Sequence, residues 1–361
     1  MKRHPYVDLP DYQFWKKSFG PSSIGGLDPV SSTRFTIGSD DKVVAAGSCF
    51  AQHVARHIQT RGFNFHQTEK AHSLFVRQKW NDAHGGTFNY DTFSARYGNI
   101  YTARQLRQLI DRAFGSFVPL SGAWQRHDGA FVDPFRPQVE PDGFISEREV
   151  GLDRDYHLAA VRRALTEADV FVFTMGLTEA WADKRDGAVY PIAPGVAGGT
   201  FDPEIHEFKN FTVSETIDDM TYSIGRIRSI NPDVRILLTV SPVPLNATYE
   251  PRHVLQSTVY SKSVLRVAAQ HLVDVDPLID YFPSFEIITA PQNGGKYFGG
   301  DMRSVEEAGV QHVMDVFFAH YTRATSPIAG TQVVAEKAAE RQKEMERLSD
   351  VLCDEEAIDN V

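Results

Sequence analysis

The run Val43-Val44-Ala45-Ala46-Gly47-Ser48-Cys49-Phe50-Ala51 decides how this chain is read. Four apolar residues in succession, with no polar alternation, suit a strand buried on both faces of a parallel sheet. Gly47 ends the run, and a helix is expected from about Phe50 to Thr60, stopped by Gly62. A strand that passes straight into a helix is the start of a βαβ unit.

The alternation continues outward from that point. Phe63 to His66 reads as the next strand, and Thr102 as the N-cap of a helix over 102–114. A helix over 154–167 leads into the strand Val170-Phe171-Val172-Phe173. Helix 213–230 carries Val213, Ile217, Met220, Ile224 and Ile227 on one face and hands over to a strand from Val234 to Val240. A helix over 254–272 precedes a strand near Phe285 to Thr289, and a last core helix covers 305–321. Residues 122–145, with the hairpin signal Asp128-Gly129, read as an insertion, and residues 183–210 as loop. Strands alternating with helices predict a flavodoxin-like αβα sandwich with a mainly parallel five-stranded sheet. Residues 1–40 are expected to form an arm whose aromatic side chains lie on the body, and 41–325 the α/β domain. Residues 331–361 are expected to form a charged amphipathic helix and tail, packed on the body or meeting a second subunit.

The formal net charge is −10, and no cluster of Lys and Arg is visible, which argues against a nucleic-acid partner. No stretch approaches the ~20 apolar residues of a membrane span, and the first residues lack the apolar run of a signal peptide. With only two cysteines, Cys49 and Cys353, a disulfide framework is excluded. A cytoplasmic location is the simplest expectation.

In open parallel sheets, sites form outside the carboxyl ends of the strands. That rule brings Ser48 and Cys49 to the edge, with His66 to His72, Gly176 to Glu179, Ser241-Pro242 and the loop up to Asp301. Ser48 and Cys49 are the nucleophile candidates. A thiol at a helix N-terminus is shifted towards thiolate, and amides of the same turn can hold an oxyanion. The structural alternative makes Cys49 a small buried hydrophobe and Ser48 an N-cap. His72 stands in the right loop for a base, and Glu179 and Asp301 are carboxylates of the same edge. His53 and His57, four apart on a helix, have metal-binding spacing, but no third ligand is evident and no metal is expected.

Ala46-Gly47-Ser48-Cys49-Phe50-Ala51 resembles the signature of the GSCFA family. The resemblance runs on through Tyr97-Gly98-Asn99-Ile100-Tyr101-Thr102, Gly176-Leu177-Thr178-Glu179-Ala180-Trp181, Ser241-Pro242-Val243-Pro244, Tyr260 to Arg266 and Tyr281-Phe282-Pro283-Ser284. That family looks like a relative of the SGNH, or GDSL-like, hydrolases. In those esterases and acyltransferases a Gly-Asp-Ser turn supplies the nucleophile, a Gly and an Asn from two further blocks complete the oxyanion hole, and Asp-x-x-His supplies the base. By that resemblance either Cys49 or Ser48 takes the nucleophile's place, Gly98 and Asn99 the second block, and Gly176, Thr178 and Glu179 the third. Asp301-Met302-Arg303-Ser304 stands where Asp-x-x-His is expected, with a serine in place of the histidine.

The resemblance implies an ester hydrolase or O-acyltransferase acting on acyl groups of a glycan or small molecule. It would need no cofactor, and coenzyme A or another acyl donor if a transferase. The alternative is a non-catalytic ligand- or glycan-binding protein on the same fold. A homo-oligomer through the C-terminal helix is a further possibility.

Overall fold

The computed structural model describes residues 4–19, 26–71, 88–90, 92–322 and 354–360. A short helix α1 (Trp15–Ser18) precedes strand β1 (Val43–Gly47), which runs into helix α2 (Phe50–Thr60). Helix α3 (Ala103–Ala113) opens on a capping box in which Thr102 and Gln105 satisfy each other's backbone amides. The hairpin β2 (Trp124–Gln125) and β3 (Phe131–Val132) follows, then helix α4 (Glu147–Glu167) and strand β4 (Val170–Met175). Strands β5 (Glu179–Asp183), β6 (Val189–Tyr190) and β7 (His206–Asn210) come next, and helix α5 (Val213–Ile230) leads to strand β8 (Arg235–Val240). Helix α6 (Val254–Val275), strand β9 (Ile279–Tyr281), helix α7 (Ser284–Thr289) and helix α8 (Glu307–Tyr321) complete the body.

The central sheet is parallel, in the order β1-β4-β8-β9. Its strands alternate sides with period two. Val44, Ala46, Phe171, Phe173, Ile236 and Leu238 meet helices α3 to α6 on one face. Val43, Ala45, Val170, Val172 and Leu237 meet α2, α7 and α8 on the other. The expected αβα sandwich is therefore present.

Two expected strands differ. Residues 63–66 contribute a single parallel bridge, Val43 to Phe65. Beyond it, side chains replace a strand on the outer edge of β1. The Ala45 amide donates to Ser94 Oγ at 3.1 Å, and the Ala45 carbonyl accepts from the Tyr97 hydroxyl. Counting that bridge as the second strand restores the flavodoxin order 2-1-3-4-5, with its switch point between β1 and β4. The expected strand at 285–289 is helix α7, and the last sheet position belongs to Ile279–Tyr281 instead. Residues 183–210 are not all loop, because β6-β5-β7 form a second, antiparallel sheet. The predicted hairpin at Asp128-Gly129 is present as β2 and β3.

The arm behaves in two ways. Arg34 donates from its amide to Asp280 at 2.9 Å and from its guanidinium to the Val273 carbonyl, so residues near it are fixed on the body. Tyr6, Tyr12 and Trp15 are exposed, contrary to the expectation that the arm's aromatics are covered. Residues 331–352, read as an amphipathic helix, lie outside the described residues.

Candidate functional site

The turn after β1 is built by backbone constraint. Gly47 has φ of +136°, and a Cβ there would stand 2.2 Å from the Thr174 carbonyl oxygen on β4. No side chain fits, so the chain can pass close to β4 only as glycine. The Ser48 amide donates to that same carbonyl at 3.0 Å, and the Gly47 carbonyl accepts from the Ile100 amide at 2.8 Å. The turn is thereby clamped between β4 and the loop Gly98–Thr102.

Ser48 is 2% exposed, and among the described residues its hydroxyl has no hydrogen-bond partner. It is not an N-cap. Cys49 holds that position in helical conformation, and no side chain caps α2. A Cβ on Gly176 would lie 2.9 Å from Ser48 Cβ and 3.0 Å from the Tyr101 carbonyl oxygen. Ser48, Gly176 and Tyr101 therefore converge at the switch point. Cys49 is buried beside them at the start of α2.

One helical turn on from Ser48, the Gln52 amide group donates to Asn99 Oδ1 at 3.1 Å. Asn99 Nδ2 in turn donates to Asp354 Oδ2 at 3.0 Å. The loop that presents Asn99 is held from below by buried ions. Arg96, fully buried, donates to the Val139 carbonyl and pairs with Glu140 and Asp153. Its amide donates to Glu69, which pairs with His157 at 2.7 Å, while Arg136 binds Asp133 and Asp153. His157 and the arginines hold Glu69 ionised, at about 2 against the opposing effect of burial.

Of the other sequence candidates, Gly176 shares the switch point with Ser48, and the rest are placed less centrally. Gly176 donates to the Tyr101 carbonyl at 3.0 Å, and its own carbonyl accepts from Lys262 Nζ at 2.6 Å. Thr178 is committed on both sides, its amide to Ser261 Oγ and its hydroxyl to Asn210. Glu179 accepts from Thr248 and the Tyr249 amide at the root of the second sheet, and burial pushes its carboxyl up. Asp301 closes its own turn: it accepts from the amides of Arg303 and Ser304 and from Ser304 Oγ, which together lower its pKa. It orients no imidazole in this arrangement. His66 Nε2 stands 3.2 Å from Glu167 beside Lys42, at the entry end of β1 rather than its exit. His72 lies outside the described residues.

His53 and His57 lie on α2 facing α8, where His57 Nε2 is 3.7 Å from Glu307. Burial, with Arg56 nearby, lowers His53 to about 3, so its imidazole is neutral and a poor base at neutral pH. Among the described residues no group of three or more His, Cys, Asp and Glu side chains is arranged to hold a metal ion.

Residues without an assigned role in the sequence complete the edge. Lys262, buried on α6, and Arg303 both act on Glu355, and Arg303 pairs with it at 2.9 Å. Asn246, after β8, donates to the Glu355 carbonyl at 3.1 Å. An open cleft of about 780 Å³ adjoins them, lined in part by Leu245, Asn246, Thr258, Met302, Arg303 and Glu356. Lys262 falls in the Tyr260 to Arg266 block that carries the family resemblance, whereas Arg303 falls in the stretch that stands where Asp-x-x-His is expected. Asp354 and Glu355 gave no signal, being two acids in a charged tail.

These features define an αβα sandwich of flavodoxin strand order, with a buried Ser-Cys turn at its switch point and an open cleft of mixed apolar and polar lining outside it. The model of the GSCFA family matches residues 42–317, and the chain belongs to that family. No curated protein matches the chain. Among solved structures, one from Streptococcus pneumonia described as a "putative platelet activating factor" is 16% identical, with a TM-score of 0.26, and covers 46% of this chain. The match spans 64% of that protein, less than two thirds of its length. Likeness at that level bears on neither fold nor function. Among the described residues no helix is long and apolar enough to cross a membrane.

Proposed function

We propose that this protein is an ester hydrolase or O-acyltransferase of the SGNH-like kind, with Ser48 as nucleophile. The observation that carries the reading is the Ser48 hydroxyl, buried at the switch point and without a hydrogen-bond partner among the described residues. Leaving a buried hydroxyl unpaired costs about 1–3 kcal/mol, and alanine would avoid that cost. A buried polar group without a partner calls for an explanation, and a ligand or a reaction at the switch point supplies one. The amides that open α2 and the Asn99 side chain are the oxyanion donors in this reading, and His72 is the base. The substrate is an acyl ester of a glycan or small molecule. A cytoplasmic setting fits the scarcity of cysteine.

A second reading, ligand binding without turnover, is favoured by one observation. Among the described residues no imidazole bonds to Ser48. Hydrolysis of p-nitrophenyl acetate and of an acetylated glycan separates the two. Ser48→Ala is expected to lower the rate by on the order of 1000-fold while raising the melting temperature, since the unpaired hydroxyl is gone, with Cys49→Ala retaining most activity. Equal rates in wild type and both variants would remove the nucleophile from the account.

A further inference from the structure

Asp354 to Asn360 forms a seven-residue 3-10 helix laid across the carboxyl edge of the sheet. A 3-10 run of that length has little stability of its own. It is held by polar contacts drawn from four separate places in the fold. Asn99 donates to the Asp354 carboxylate and the Tyr101 hydroxyl accepts from the Asp354 amide, both at 3.0 Å. Asn246 donates to the Glu355 carbonyl, and Arg303 pairs with the carboxylates of Glu355 and Glu356 at 2.9 and 3.3 Å. Lys262, whose ammonium donates to the Gly176 carbonyl at 2.6 Å, adds a second positive charge that favours the ionised form of Glu355. Apolar anchorage is slight: Ala357 touches the cluster around Trp124 and Tyr190, and Ile358 is exposed.

Asp354 is 2% exposed, and its immediate neighbours are an amide and a phenol rather than a cation. A carboxyl buried in that way is costly to ionise, and the bond from Asn99 offsets part of the cost. The donors are also those of the candidate site, since Asn99 links directly to Gln52 on the helix that begins at Ser48. Apart from the Tyr101 hydroxyl, which accepts from the Asp354 amide, the named contacts from the body are donors and those from the segment are acceptors.

We propose that Asn99, Asn246, Lys262 and Arg303 form the recognition site for a carboxylate-bearing ligand, which Asp354 and Glu355 occupy as an internal mimic and which the ligand enters by displacing them. The inference deepens the reading of the Ser48 site by naming the chemistry of its ligand, and it is read by binding rather than by turnover. The ligand's carboxylate meets Arg303 and Lys262, and a second polar group meets Asn99. The intramolecular segment competes with it, so apparent affinity is lowered by the fraction of molecules in which the segment is seated.

The test uses the full chain and isothermal titration with three probes. Acetyl-Asp-Glu-amide represents an acidic peptide, glucuronate a sugar acid, and inorganic sulfate any small anion. In the full-length double variant Asp354→Arg/Glu355→Arg the segment meets like charge and cannot seat. At least one carboxylate probe is expected to bind about tenfold tighter or more than to wild type. Adding Arg303→Ala is expected to abolish the gain, and the probe that gains identifies the source of the carboxylate. No gain for either carboxylate, an equal gain for sulfate, or a gain that survives Arg303→Ala would overturn the proposal.

Hydrogen exchange on wild type supplies a readout independent of the variants. Saturating carboxylate probe is expected to strip protection from the Asp354 amide, and retained protection would count against displacement. Loss of ester hydrolysis in Asp354→Asn, with probe affinity unchanged, would make Asp354 part of the reaction and likewise contradict the mimic. Ser48→Ala is expected to leave these affinities in place, so failure of the nucleophile reading and failure of this one give different results.

Discussion

The proposals rest mainly on two residues, and they differ in how visible they were. Ser48 was legible because Gly47 before it can only be glycine, and a strand-to-helix turn leaves few places for a side chain to go. Its rival reading as an N-cap failed on geometry, since α2 begins in helical conformation at Cys49. Asp354 was invisible, because nothing in a run of acids tells which one is buried. Burial raises its pKa from the ordinary 3.8 to about 6, with Glu355 adding to the rise and the bonds from Asn99 and Tyr101 opposing it. Arg303 and Lys262 favour the ionised form of the neighbouring Glu355, itself pushed up by burial. The sign follows from linkage. A carboxyl whose pKa is higher when seated takes up a proton on seating, so seating is strongest below the unseated value and weakens as pH rises through about 6. The apparent affinity of wild type for the carboxylate probe is expected to fall between roughly pH 8 and pH 5, and to flatten in Asp354→Asn. A profile of the same slope in both proteins would assign the effect to another group.

At the scale of elements, long periodic helices and fully apolar strands were read correctly, because their patterns answer directly to burial. Val170 to Phe173 and the helix Val213–Ile230 are examples. The failures share a different cause. Residues 63–66 have strand-like composition, but the edge of β1 they would pair with is satisfied by Ser94 and Tyr97 from a distant loop. Residues 285–289 form a helix after Pro283, with Ile287 and Ile288 turned into the core, and so short an apolar run has no decisive period. The strands of the second sheet are only two to five residues long, and His206–Asn210 is largely polar. Thr102 was identified as a cap from its position alone, and its box with Gln105 fixes the loop that carries Asn99. Thr102→Ala is expected to cost about 1 kcal/mol of stability by chemical denaturation. A change below about 0.3 kcal/mol would show that tertiary packing, not the cap, sets the start of α3.

For the whole molecule, the arrangement follows from strand order. With the Val43 to Phe65 bridge counted as a strand, the order reverses between β1 and β4 and a crevice opens at their carboxyl ends, where Ser48, Asn99 and Gly176 lie. The insertion carrying β2 and β3 does not enter the sheet. It supplies Asp133 and Arg136 to the buried ion network that holds the Asn99 loop, which explains why so much charge lies in the interior. The sequence resemblance led to the family and to the edge of the sheet, but Asp301, Thr178 and Glu179 are spent on local structure there. The central claim is that Ser48 is acylated during turnover. Acid-quenched protein taken during p-nitrophenyl acetate turnover, digested and mapped by mass spectrometry, tests it directly. One acetyl group on the peptide containing Ser48, absent from Ser48→Ala and present in Cys49→Ala, is the predicted result; an acetyl group on Cys49 alone, or none on either residue while hydrolysis proceeds, would contradict it.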